Sequence, residues 1–84
     1  MSDIGEVRER LANLGQMLES IWNQAASVIE GTNESIVVLD AVGTDHDSVT
    51  AARTDLESVV TMTEDVQTTL RGAMDNVAAY AESI

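Results

Sequence analysis

The feature that most limits what this chain can fold into is an apolar residue at every third and fourth position, sustained through both halves. The first run is Ile4, Val7, Leu11, Leu14, Leu18, Ile21, Ala25, Val28, Thr32, Ser35, Leu39 and Val42, with ten of twelve positions apolar. The second is Val49, Ala52, Leu56, Val59, Thr63, Val66, Leu70, Ala73, Val77, Tyr80 and Ile84, with ten of eleven. At 44% hydrophobic residues overall, about ten of these twenty-three would be apolar by chance. A repeat of this period draws one line of side chains along an α-helix, and neither half alternates as a strand would. The 84 residues include no proline, so nothing in the composition interrupts a long helix.

The runs part at Gly43, a residue suited to the left-handed conformation that ends a helix. Thr44 then reads as an N-cap, with Asp45 and Asp47 in the first turn where the helix dipole favours acids. The sequence thus predicts one domain of two helices, at 3–42 and 45–83, each about 60 Å long. So short a connection makes them antiparallel, with Leu18 near Leu70. The fold class is all-α, a coiled-coil-like hairpin. Its weak point is 30–35, where Gly31 and the polar seam positions Thr32 and Ser35 fall together. The continuing heptad favours an unbroken helix there over a break that would leave 36–42 as a short separate one. Thr32, Ser35 and Thr63 can each return a hydroxyl to a carbonyl one turn back.

A second apolar stripe lies beside the first. On the first helix it is Trp22, Ile29 and Ile36; on the second, Val60, Met74 and Ala81, with Met17, Val38 and Met62 flanking the other side. A simple two-stranded coiled coil carries charges at such positions. Apolar residues there predict a partner interface built from Trp22, Ile29, Ile36, Val60 and Met74, completing a four-helix bundle on dimerisation. The partner would be another helical protein or a second copy.

Net charge is −11, from fifteen carboxylates against four arginines and no lysine. That sign disfavours nucleic acid and anionic membranes. No apolar run approaches a membrane span, Ile36–Leu39 being only four residues, and the opening residues have no signal-peptide core. The expected location is cytoplasmic, with export by a route that uses no conventional signal peptide as the alternative. Chemistry finds little to work with. The one histidine, His46, stands beside Asp45, Asp47 and Ser48, neighbours on one turn that diverge rather than converge. There is no cysteine and no Glu-x-x-His motif, and Asp40, Asp45 and Asp47 at the hairpin tip are explained by capping and solvation. Glu6 and Arg10 form a favourable i,i+4 pair. The chain reads as non-enzymatic, with no cofactor.

The opening Ser2-Asp3-Ile4-Gly5-Glu6-Val7-Arg8-Glu9-Arg10-Leu11 and the junction Gly43-Thr44-Asp45-His46-Asp47-Ser48-Val49, followed by an acidic helix ending near Tyr80, carry a family likeness. Across nearly its whole length the chain resembles the small helical hairpins of actinobacterial type VII secretion, the WXG-like family, and the N-terminal helical segments of secreted polymorphic toxins. The family's W-x-G turn has no counterpart, since Trp22-Asn23-Gln24 lies mid-helix without the glycine. Nor has its Y-x-x-x-D/E signal, since Ile84 stands four residues after Tyr80. The resemblance implies hairpins that pair as homo- or heterodimers and direct cargo to a secretion machine. The leading expectation is therefore a helical adaptor in type VII secretion or toxin delivery. Its rivals are a self-assembling structural bundle and an acidic inhibitor, an immunity protein or DNA mimic.

Overall fold

The computed structural model describes residues 3–43 and 46–84. Two helices account for nearly all of them: α1, Ile4–Val42, and α2, Asp47–Ser83. They lie antiparallel along their whole length, in a rod 63 × 18 × 15 Å. The all-α hairpin expected from the heptads is the observed fold.

Local chemistry sets the ends. Asp3 caps α1, its Oδ1 accepting from the Glu6 N–H at 2.6 Å. Gly43 closes the helix at φ 63°, ψ 39°, the left-handed geometry that glycine adopts without strain. The expected cap Thr44 and its neighbour Asp45 lie outside the described residues. Helix α2 begins at Asp47, two residues later than expected, and His46 is its cap: Nδ1 accepts from the Ser48 N–H at 3.1 Å. Asp47 does occupy the first turn.

Helix α1 runs unbroken through the weak stretch. The Ser35 hydroxyl donates to the Gly31 carbonyl at 2.8 Å, and the Thr63 hydroxyl to the Val59 carbonyl at 2.7 Å, so both polar groups are satisfied within their own helices. Cross-hairpin contacts match the expected register to within about one turn. The Gln67 side-chain amide reaches the Trp22 carbonyl at 3.4 Å, and the Arg8 guanidinium donates to the Ile84 main-chain oxygen at 2.6 Å.

The seam itself differs from the expected one by one position along much of α1. Leu11, Leu18, Ala25, Thr32 and Leu39 face inward as the heptad requires, but Leu14, Ile21, Val28, Ser35 and Val42 are exposed. In their place Gly15, Trp22, Ile29 and Ile36 are half-buried. On α2 the seam starts as expected through Val49, Ala52, Leu56 and Val59, then moves one position on, to Val60, Gln67, Met74 and Ala81, leaving Val66 and Tyr80 exposed. The cause is the mismatch between the ~3.6-residue turn of a straight helix and a 3.5-residue repeat, which rotates the line by about 20° per heptad. The drift is absorbed where two four-residue steps follow each other, at Val7-Leu11-Gly15 and at Val59-Thr63-Gln67.

Candidate functional site

Each helix carries its mostly apolar seam residues in triplets: two adjacent positions and a third one turn later, with Thr32, Ser35, Thr63 and Gln67 as the polar members. On α1 these are Leu14-Gly15-Leu18, Ile21-Trp22-Ala25, Val28-Ile29-Thr32 and Ser35-Ile36-Leu39. On α2 they are Val59-Val60-Thr63, Val66-Gln67-Leu70, Ala73-Met74-Val77 and Tyr80-Ala81-Ile84. The three positions sweep about 100° of helix surface, the width of a helix with neighbours on two sides. In the hairpin the second and third members are covered, while on α1 and at Val66 and Tyr80 of α2 the first is open to solvent. Among the described residues only Ala25 is buried.

The open positions share one side of the molecule. Two antiparallel helices wind in opposite senses for one viewer, so residues one position before the seam on α1 lie on the same side as residues one before the seam on α2. Residues one position after the seam lie on the opposite side, and the contacts there verify the geometry. Asp40, just after Leu39, meets Arg53, just after Ala52. Ala12, Gln16 and Glu19 of α1 line a common groove with Arg71, Asp75 and Ala78 of α2.

The two sides differ in chemistry. The first displays Leu14, Met17, Ile21, Val28, Val38 and Val42 of α1 beside Met62, Val66 and Tyr80 of α2, with exposures from 37% for Leu14 to 65% for Val38. At the flanking positions of this side, from Leu14 to Val42 and from Ala52 to Tyr80, Asp55 is the one charged residue. The second side holds the cross-hairpin polar contacts. Arg53 bridges to Asp40 across the hairpin and to Glu57 at 2.8 Å on its own helix. Its hydrogen bond to Asp40, foremost, and then that to Glu57 raise the Arg53 pKa further above its ordinary value, keeping the guanidinium charged. The Arg71 guanidinium carbon sits 4.8 Å from the centre of the Trp22 ring, a cation–π contact between the helices. With Arg8 on Ile84 and Arg10 on Glu6 at 2.9 Å, all four arginines are engaged within the hairpin. These exposed ion pairs each contribute roughly 0–1 kcal/mol. Between Arg8 and Arg71, the small residues Gly15, Ala78 and Ala81 leave an open groove of about 620 Å³.

The five residues expected to form the partner face lie along the contact between the two helices. Trp22, Ile29, Ile36, Val60 and Met74 are half-buried between the helices and close the hairpin on itself. Trp22 is held there by Gln67 beneath its carbonyl and Arg71 over its ring. The exposed strip is the neighbouring line, and six of its residues, Leu14, Ile21, Val28, Val42, Val66 and Tyr80, are ones the heptad reading assigned to the core. Both lines share Leu18, Ala25, Thr32 and Leu39, so periodicity alone does not separate them. The signal that could have done so is charge: from Leu14 to Val42 and from Ala52 to Tyr80, acids and arginines other than Asp55 keep off one of the two flanking sides. No group of three metal-ligating side chains gathers among the described residues, and Asp40 is taken up by Arg53. No helix among them is long and apolar enough to cross a membrane. Comparison of the chain with protein-family models, with curated proteins and with solved structures finds no match.

Proposed function

We propose that this chain is a non-enzymatic helical association module, an adaptor whose task is to lay one long apolar side against another helical surface. The observation that carries this reading is the separation of its two sides. Apolar side chains that both helices could have turned inward remain outside, in a strip almost free of charge on a molecule of net charge −11. An exposed strip of this extent, rimmed by polar residues, marks an association surface rather than scattered surface hydrophobes. Arg53 with its paired acids Asp40 and Glu57, and Arg71 over Trp22, sit on the opposite side, and the central strip is left free for a partner.

The setting suggested by the resemblance is type VII secretion or toxin delivery, in which helical hairpins act in pairs. The acidic-inhibitor reading fits less well. A DNA mimic presents its carboxylates to the target, whereas the continuous surface here is the one that excludes them. A photo-crosslinking residue at Val28 or Val66, introduced in the producing cell, tests the module. Discrete crosslinked products are expected from both, and few from Asn23 on the opposite side. Equal or absent crosslinking at all three positions would overturn it.

A further inference from the structure

Resting on the association reading, we infer that the occupant of the apolar strip is a second copy of this chain, packed face to face to complete a four-helix bundle. Surface area supports it first. A compact monomer of 9.0 kDa exposes roughly 4,900 Å². The hairpin exposes 6106 Å², roughly 1,200 Å² more. Two copies each covering that excess would bury about 2,400 Å², within the range of obligate homodimer interfaces.

The pattern and the charge point the same way. Leu14, Ile21, Val28, Val38 and Val42 on α1, with Met62, Val66 and Tyr80 on α2, form a strip that runs for about 40 Å of the 63 Å rod. Only a partner with an apolar strip of comparable length covers it, and a second copy supplies one. The triplets have their second and third members covered by the other helix of the same hairpin, and on α1 and at Val66 and Tyr80 the first member is left for the next layer, which is the arrangement of a bundle helix with two neighbours. Two chains of charge −11 repel each other unless the surface they share excludes acids, and this strip holds only Asp55 among fifteen carboxylates. A basic partner would need the opposite: acids inside the contact.

Sedimentation equilibrium and circular dichroism on the purified full chain test this. At about 100 μM the expected mass is twice 9.0 kDa. Ile21→Glu on the strip should lower it towards one copy, while Asn23→Glu on the opposite side should leave it double. Because Ile21→Glu could also unfold the chain, crosslinking provides an independent measure, made simple by the absence of cysteine. Val28 is the midpoint of the α1 strip and Val66 lies nearby on α2, so midpoint meets midpoint whichever way the second copy is turned. A short bismaleimide should join Val28→Cys chains to one another or to Val66→Cys chains, and should not join Glu19→Cys chains. A helical species of one-copy mass would overturn the self-pairing, as would a double-mass species crosslinked only through Glu19→Cys. If Val28 then crosslinks in the producing cell to a different protein, the association module survives and only its occupant changes.

Discussion

Trp22 is pinned from three directions, and its energetic role follows from that. Its ring packs between the helices, Arg71 lies over its face, and Gln67 approaches its carbonyl. Trp22→Ala should therefore cost about 2 kcal/mol in thermal or urea melts, below the roughly 3–5 of a fully buried tryptophan because this ring is only half-covered. Asn23→Ala, one residue on and exposed, should be near neutral. Trp22→Glu should lose helicity together with any association, whereas a mutation confined to the strip affects association first. A Trp22→Glu variant that keeps full helicity would show that the seam runs elsewhere. The tryptophan was legible in the sequence as a member of the second apolar stripe, but its direction was not. Ile21 and Trp22 are adjacent, both apolar and both at heptad spacing. Which of them turns inward depends on the small rotation that accumulates along a real helix and on what the opposing helix offers. The cap at His46 was hidden for a related reason: Thr44, two residues earlier, is the stronger capping type, and only backbone geometry shows the cap falling on His46.

At the scale of the helix, α1 keeps its continuity across Gly31 even though a glycine in a helix interior costs about 1 kcal/mol relative to alanine. A Cβ at Gly31 would meet nothing within 4 Å, and the same is true at Gly72. Gly31→Ala and Gly72→Ala should each raise stability by roughly 0.5–1 kcal/mol in the isolated hairpin, read from the shift in urea midpoint. They should differ in assembly. Gly31 falls on the apolar side, one helical turn from Val28, while Gly72 falls on the outer surface of α2. If Gly31→Ala weakens the double-mass species and Gly72→Ala does not, the close approach of a second helix at Gly31 is established; equal behaviour of the two would mean that nothing approaches there. The helices themselves, their antiparallel order and the turn at Gly43 were all readable from the heptads and the absence of proline. The seam drift was not, because a strict alternation of three and four residues was carried across two places where the chain takes two steps of four, Val7-Leu11-Gly15 and Val59-Thr63-Gln67.

The whole molecule is a long rod with little core of its own. Its radius of gyration is 19.0 Å, against roughly 12 Å for a compact domain of this length. Among the described residues Ala25 alone is buried, so on the association reading the hairpin draws much of its stability from what covers its apolar side. Its melting temperature should accordingly rise with protein concentration, measured from about 2 to 200 μM by circular dichroism. A value independent of concentration, with helicity intact, would mean the lone hairpin is self-sufficient. Salt should act in the same direction as concentration, and for a separate reason. Fifteen carboxylates and four arginines leave −11 on each chain, and pairing two chains brings 22 net negative charges into one narrow rod. At low ionic strength this repulsion extends over tens of ångströms, and near half-molar salt it is screened within a few. The apolar contact of the strip is not weakened by salt, and the exposed ion pairs of Arg53 and Arg10 that salt would loosen contribute little. The balance therefore favours a melting temperature that climbs by several degrees between low-millimolar and half-molar sodium chloride, with the larger climb at the lower protein concentration, where association is less complete. A fall with added salt would reverse the balance and assign the stability to the ion pairs of the polar side.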